Sequence, residues 1–352
     1  MSEMKLTVDQ REVTVPQGWT LLQAANKLGI RIPTLCHLWE LSSCSACRIC
    51  LVEVEGARNL VTACSYPAAA GMKVQTRSER VLKARRLVME LILSDHPLDC
   101  MTCEKTGACI LQDLAYEMGL SGSRMKGEQH RYPLDTANPF IVRDHNKCVL
   151  CERCTRICDE VQGSFAIEYA HRGFHTKVAV PYHRSLTESD CVFCGQCVSV
   201  CPVGALTERS RVGRGREWEF RQIKTICSYC GVGCLLVLNV KDGEIVRVTS
   251  DRGAGVNRGN MCVKGRFGFD YVHSPDRLTD PLIREGDKFR PASWDEALNR
   301  VAEGLKKVKA DHGADAVGVL VSAKCTNEEN YLLQKLARAA LGTNNVDHCA
   351  RL

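Results

Sequence analysis

Cys148-Val-Leu-Cys151-Glu-Arg-Cys154-Thr-Arg-Ile-Cys158 and Cys191-Val-Phe-Cys194-Gly-Gln-Cys197-Val-Ser-Val-Cys201-Pro202 repeat one spacing, C-x2-C-x2-C-x3-C. Three thiolates at intervals of three residues can wrap three irons of a cubane from one loop, while the fourth, displaced onto a helix start, reaches the neighbouring cluster. The spacing therefore assigns Cys148, Cys151, Cys154 and Cys201 to one 4Fe-4S cluster and Cys191, Cys194, Cys197 and Cys158 to another. Zinc more often takes paired C-x2-C knuckles, and a disulfide framework is the other bland alternative. A doubled run points away from both. Asp159 stands where the first run could carry proline, which loosens that loop without removing a ligand.

Working outward, the 352 residues suffice for two or three ordinary domains, and 45% hydrophobic with 25% charged residues is the composition of a soluble globular protein. Twenty-two cysteines would suggest disulfides in a secreted protein, but Met1 to Val8 lack a basic start followed by an apolar core. The expectation is a reducing, cytoplasmic compartment in which the thiols bind metal. No apolar run approaches the roughly 20 residues of a membrane span, so the chain is not expected to be membrane-embedded. The formal charge of +6 counts cysteines as neutral, and cluster thiolates would shift it toward negative. Nucleic acid is therefore not indicated as a partner.

The doubled run resembles a two-cluster bacterial ferredoxin, spanning residues 138–208. Before it, Lys5 to Asp9 and Glu12 to Val15 alternate like the arms of a hairpin, and Thr20 with Gln23 forms a capping box opening a short helix that Gly29 closes. Hairpin, helix and a cysteine loop suggest a β-grasp domain of the plant-ferredoxin kind over residues 1–78. The loop offers Cys36, Cys44, Cys47, Cys50 and Cys64, one more than a 2Fe-2S cluster needs. Cys47-Arg-Ile-Cys50-Leu-Val-Glu-Val54 looks like the matching loop of complex I large subunits and iron-only hydrogenases, which implies Cys36, Cys47, Cys50 and Cys64 as ligands. The rival reading takes Cys44 and Cys47 as the C-x2-C pair.

Residues 79–120 form a further module. Glu79 to Ser94 reads as a helix with Val81, Leu82, Leu87, Val88, Leu91 and Ile92 on a broad apolar face. His96, Cys100, Cys103 and Cys109 follow, one imidazole and three thiolates able to hold a 4Fe-4S cluster, and the run resembles the histidine-ligated cluster of the same two families. A neutral ligand makes such a cluster less negative than four thiolates would. Ser121 to Ala137 reads as a linker, and Phe165 to Val180 as a hairpin insertion in the ferredoxin module. Arg209, Arg211, Arg214, Arg216, Arg221 and Lys224 read as a basic connector, either a solvated face or a dock for an acidic partner.

A new unit, residues 220–276, carries Cys227, Cys230 and Cys234 in a C-x2-C-x3-C run. After 27 intervening residues, which include a hairpin turning at Lys241-Asp242-Gly243, comes Cys262. With Cys262-Val-Lys-Gly265 the unit resembles the N-terminal iron-sulfur segment of molybdopterin-dependent formate dehydrogenases and periplasmic nitrate reductases. The resemblance implies a fourth 4Fe-4S cluster held by these cysteines, with Lys264 relaying electrons to a pterin. Residues 277–352 turn α/β: a capping box at Ser293 to Glu296 opens a helix, Val317 to Val321 is a buried-type strand, and Thr326 to Glu329 caps a second helix ending near Gly342. No dinucleotide fingerprint stands in a strand-turn-helix context.

The fold class expected is thus an α+β multi-module iron-sulfur protein carrying one 2Fe-2S and four 4Fe-4S clusters on 19 of its 22 cysteines and His96. The order of modules looks like the amino-terminal third of a cytosolic NAD(P)- or ferredoxin-linked formate dehydrogenase catalytic subunit. That resemblance implies reversible oxidation of formate to carbon dioxide at a molybdenum or tungsten bis-pterin guanine dinucleotide site beyond residue 352, with electrons passed singly to a flavin, NAD(P)-binding or hydrogenase partner subunit. Complex I large subunits, iron-only hydrogenases and a stand-alone electron-transfer subunit are the rivals. Asp347 to Leu352 resembles the segment leading to the metal-binding cysteine or selenocysteine of formate dehydrogenases. Truncation at a UGA codon is therefore expected, with Cys349 the competing metal ligand and no catalytic residue in the chain itself.

Overall fold

The computed structural model describes residues 2–348. The readings placed on Cys349 and Leu352 lie outside the described residues. The chain divides into two compact units, residues 1–221 and 222–352.

The first unit opens with strands β1 (Glu3–Val8) and β2 (Arg11–Pro16), paired antiparallel across Asp9 and Gln10. Both turn residues have positive φ, 46° and 65°, the left-handed pair that matches strand twist in a two-residue hairpin. Helix α1 (Leu21–Lys27) carries the expected capping box, with Gln23 N donating to Thr20 Oγ1 and Thr20 N to Gln23 Oε1. Strands β3 (Leu51–Val54), β4 (Val61–Thr62) and β5 (Lys73–Gln75) complete a five-stranded sheet of order β2-β1-β5-β3-β4, in which β1 and β5 run parallel. Leu6, Val8, Val13 and Val15, alternating along the hairpin, share one buried face with Leu21, Ala25, Val52 and Val74. This is the β-grasp arrangement the alternation predicts.

Helix α2 (Glu79–Asp95) lies where expected, but its buried face does not. Leu82, Leu87 and Leu91 are exposed, and the buried row is Val81, Arg85, Met89, Glu90 and Leu93. Its two polar residues stay buried because each is satisfied: Arg85 donates twice to the Leu51 carbonyl, and Glu90 takes a two-bond grip from Arg124. Helix α3 (Ile110–Glu117) follows. The segment 121–137 runs without helix or strand, apart from one isolated bridge at Asp135 to Arg143, yet it is anchored through Arg124 and through His130, whose Nδ1 lies 2.6 Å from Asp95 Oδ2.

The ferredoxin segment pairs β6 (Ile141–Arg143) with β9 (Leu206–Glu208) around short helices α4 (Arg153–Arg156) and α5 (Gln196–Val200). Between them the expected insertion hairpin is present as β7 (Glu168–Ala170) and β8 (Lys177–Ala179). The basic connector is solvated in part: Arg209, Arg214, Arg221 and Lys224 are exposed, while Arg211 and Arg216 turn inward. Arg211 is only 1% exposed and pairs with Glu217 at 3.0 Å, Arg209 lies 3.4 Å from the Asn138 carbonyl, and Arg216 donates to the carbonyls of Met101 and Cys103. These guanidiniums reach across their own unit because their planar forks suit backbone oxygens.

In the second unit β10 (Arg221–Ile226), β11 (Leu235–Lys241) and β12 (Glu244–Thr249) form a sheet in that order. The turn at Asp242 and Gly243 again has two positive φ angles. Helix α6 (Val263–Phe267), the hairpin β13 (Leu282–Glu285) with β14 (Lys288–Pro291), helix α7 (Trp294–His312), strand β15 (Val319–Val321), helix α8 (Asn327–Lys335) and strand β16 (Val346–His348) follow. Strands β15 and β16 pair in parallel, as alternating strand and helix imply. One expectation is corrected. Ser293 caps α7, but Glu296 does not return to it, because Arg290 holds that carboxylate. In the stretch read as a buried-type strand, Val317 is buried, while Leu320 is 85% exposed in a sheet that has two strands among the described residues, as an unclosed α/β sheet implies.

Candidate metal centres

Five thiols converge at the β-grasp loop. Those of Cys44, Cys47 and Cys64 lie against Cys36, and Cys50 lies against Cys64. The hydrogen bonds Cys36 makes push its own thiol up and pull its neighbours down: Cys64 is lowered to about 2, Cys47 to about 6 and Cys44 to about 7. Ser43 Oγ donates to the Cys64 carbonyl at 2.9 Å, and Ser45 Oγ lies 3.5 Å from Cys64 Sγ. Cys36, Cys47, Cys50 and Cys64 are buried and Cys44 is half-buried. The structure thus brings all five together, the one treated as spare included.

His96 caps the end of α2. Its ring is buried, burial lowers its pKa, and Nδ1 has no hydrogen-bond partner. An orphaned buried nitrogen is costly unless something outside the protein satisfies it. Cys103 sits beside both Cys100 and Cys109 and adds its charge to the burial that raises each; Cys109 reaches about 11.

The eight cysteines of the ferredoxin runs line a single cavity with Ile141, Ile167, Val178 and Leu186. Burial raises Cys148 to about 11 and Cys151 to about 12, and in both the charge of Cys201 adds to it. Cys154 is raised by burial and by Cys151, Cys148 and Cys201, whereas Cys191 is raised by burial and then by Cys194 and Cys158. Cys201 thus lies near Cys148, Cys151 and Cys154, Cys158 lies near Cys191, and Cys197 also acts on Cys154. Turns at Leu150 and Glu152, both with positive φ, and at Phe193 and Gly195 fold each triplet back on itself.

In the second unit Cys227, Cys230, Cys234 and Cys262 share one site: burial raises the Cys234 thiol, and the other three raise it further. Gly265 packs α6 on the Cys227 thiol, 3.6 Å from where a Cβ would stand. Asn257 ties the loop by accepting from Leu235 N at 2.8 Å and donating to Asn260 O at 2.7 Å. Lys264 lies exposed on α6.

Among the described residues every cysteine is a free thiol, and no three His, Cys, Asp or Glu side chains are drawn tightly enough to hold a single metal ion. Cysteine spacing does not reveal Arg153 and Arg156, which tie the first ferredoxin run to the β-grasp loop. The signal for them is two arginines inside a cysteine run.

Fold and sites together define a multi-domain iron-sulfur protein. Matches to known domains follow the same order along the chain: a 2Fe-2S iron-sulfur cluster binding domain over residues 2–79, the NADH-ubiquinone oxidoreductase-G iron-sulfur binding region over 85–124, the ferredoxin-like domain of NADH-quinone oxidoreductase subunit 3 over 138–207, the molybdopterin oxidoreductase Fe4S4 domain over 220–274 and the molybdopterin oxidoreductase domain over 277–352. The chain thus carries, in this order, segments similar to the 2Fe-2S and 4Fe-4S domains of the NADH-quinone oxidoreductase G type and to the molybdopterin oxidoreductase domains.

It is similar to the NADPH-Fe(3+) oxidoreductase subunit alpha of Geobacter sulfurreducens, 42% identical over 99% of this chain and 40% of that protein. The second NADH-quinone oxidoreductase G protein of Rhizobium meliloti is 40% identical over 99% of this chain and 40% of its own. A Staphylococcus aureus protein, whose name gives formate dehydrogenase only provisionally, is 32% identical over 98% of this chain and 39% of its own. A chain of the NAD+-reducing NiFe-hydrogenase in the H2-reduced state matches with a TM-score of 0.56 and 29% identity, over 60% of this chain and 90% of that one. The chain spans about 40% of the length of these curated relatives. Among the described residues no helix is long and apolar enough to cross a membrane.

Proposed function

We propose that this chain is the electron-relay portion of an NAD(P)-linked oxidoreductase complex of the NADH-quinone oxidoreductase G type. One observation carries the reading: Cys36 and Cys47 of the first set, Cys109 of the second and Cys151 and Cys201 of the third lie in one continuous hydrophobic core with Leu35, Ile49, Met89 and Leu111. Three separate cysteine sets would hardly share one core unless the centres they hold exchange electrons through it. Bound iron-sulfur clusters would supply one-electron uptake and release. The ligand reading is one 2Fe-2S cluster on Cys36, Cys47, Cys50 and Cys64, and 4Fe-4S clusters on the His96, Cys148, Cys191 and Cys227 sets. The protein's part is to hold each centre at its place, keep water from it and set its charge environment. Lys264 beside Cys262 suits a link toward a pterin in the molybdopterin oxidoreductase portion. The partners are a flavin or NAD(P)-binding subunit and, by likeness to the NiFe enzyme chain, hydrogenase-type electron-transfer subunits, in the cytoplasm.

A second reading, the relay of a formate dehydrogenase alpha subunit, rests on the Cys262 to Gly265 resemblance and on the Staphylococcus relative. Anaerobic copurification of the tagged chain with its native partners, followed by dye reduction, separates the two. NADH- or NADPH-dependent reduction with none from formate is expected. Formate-dependent reduction alone would overturn the first reading in favour of the second, and hydrogen-dependent reduction alone would overturn both.

A further inference from the structure

Arg153 and Arg156 lie within the first ferredoxin run, between Cys151 and Cys158, and are buried to 5% and 8% exposure. Arg156 Nη2 donates to the Cys36 carbonyl at 2.7 Å and lies 3.4 Å from that of Cys151, while its Nη1 donates to the Ser42 carbonyl. Arg153 Nη2 donates to the His37 carbonyl at 2.9 Å. The Nε of each is buried without a partner. Among the described residues no ion pair joins either guanidinium to a carboxylate; Glu160, held by Ser42, lies near enough to feel the Arg156 charge but makes no direct contact with it.

Guanidiniums are always charged, and a buried charge whose hydrogen bonds go only to neutral carbonyls is costly unless nearby anions compensate it. Burial lowers Arg153, and the groups whose charges oppose that are Cys151, Cys36, Cys47 and Cys201. Those four belong to two different sets, the β-grasp loop and the first ferredoxin centre. Four-thiolate clusters at both sets would be anionic, and each one-electron reduction adds a further negative charge without changing a ligand. A fixed cation between two such centres favours the reduced form of each.

We infer that Arg153 and Arg156 are the shared counterions of the 2Fe-2S centre and the neighbouring 4Fe-4S centre, holding both reduction potentials above what the thiolate sets alone would give. The inference rests on the ligand reading proposed above. Its test is spin-resonance-monitored potentiometric titration of the anaerobically loaded full chain, comparing wild type with Arg153→Met, Arg156→Gln and Arg156→Lys. The midpoints of both centres are expected to fall in Arg153→Met and Arg156→Gln and to fall less in Arg156→Lys, which keeps the charge. The centre on Cys227, Cys230, Cys234 and Cys262, in the other unit, is the internal reference and stays put. Loaded Arg153→Met and Arg156→Gln proteins with unmoved midpoints would overturn the inference. If Arg156→Gln fails to load, Arg153→Met decides, since it removes one hydrogen bond to the His37 carbonyl. A wild-type chain with no 2Fe-2S signal would overturn the ligand reading itself, and the inference with it.

Discussion

Gly204 meets Cys103 with no room for a side chain: a Cβ there would stand 2.7 Å from Cys103 Sγ. Ile110 N donates to the Pro202 carbonyl at 2.9 Å just beside it. The segment leaving the second ferredoxin run therefore braces the His96 set, although the two are far apart in the chain. Gly204→Ala is expected to push Cys103 aside and to perturb the spin-resonance signal of the His96 centre while leaving the 2Fe-2S signal intact. An unchanged His96-centre signal in a loaded Gly204→Ala protein would show that the contact is not constraining.

Much of this is legible in the sequence, for physical reasons that also explain what is not. Cysteine spacing is local, so one loop's triplet can be read from order alone; the hairpins at Asp9-Gln10 and Asp242-Gly243 and the caps at Thr20 and Thr326 are local too. The buried face of α2 departs from its apolar periodicity because Arg85 and Glu90 are buried through partners 34 residues away, Leu51 and Arg124, which no periodicity reveals. Arg216 looks like a member of a charge run for the same reason: the carbonyls of Met101 and Cys103 that it binds lie 115 and 113 residues away in the chain. Spacing leaves open whether Cys44 joins the first centre, and the convergence of five thiols leaves it to experiment.

That experiment is a pair of substitutions. Cys50→Ala is expected to abolish the 2Fe-2S signal, and Cys44→Ser to leave it in place with the same g-values. Loss in Cys44→Ser with retention in Cys50→Ala would reverse the ligand choice.

Ligation by His96 predicts a direction of potential. His96→Cys is expected to keep a cluster but lower its midpoint, because a thiolate adds negative charge where imidazole was neutral. A titration giving an unmoved midpoint would mean that the buried ring is not bound to iron.

The five sets together predict 18 irons per loaded chain, two in a binuclear centre and four in each of four tetranuclear ones, from 19 cysteines and His96. Anaerobic iron and acid-labile sulfide analysis checks this. A plateau near ten would remove two of the four larger centres.

Asn257 offers the sharpest test of how the last centre is built, because it is not itself one of the proposed ligands. Its Oδ1 accepts from Leu235 N, next to Cys234, at 2.8 Å, and its Nδ2 donates to Asn260 O at 2.7 Å and to Ser250 Oγ at 2.9 Å. One side chain thus fixes the distance between the C-x2-C-x3-C turn and Cys262, two parts of a site that the β11–β12 hairpin separates. Asn257→Ala leaves the half-buried Leu235 N–H without its acceptor, a loss of about 1 kcal/mol. Much of a small metal-bearing domain's stability comes from the metal itself, so the loss is expected to appear first as cluster lability. Anaerobic chelator challenge followed by spin resonance should show the Cys227-set signal disappearing several-fold faster than in wild type, with the signals of the first unit decaying at their usual rates. Asn257→Asp keeps the acceptor and is expected to recover part of the lifetime. Equal decay in wild type and Asn257→Ala would mean that the four thiols hold their geometry without this brace.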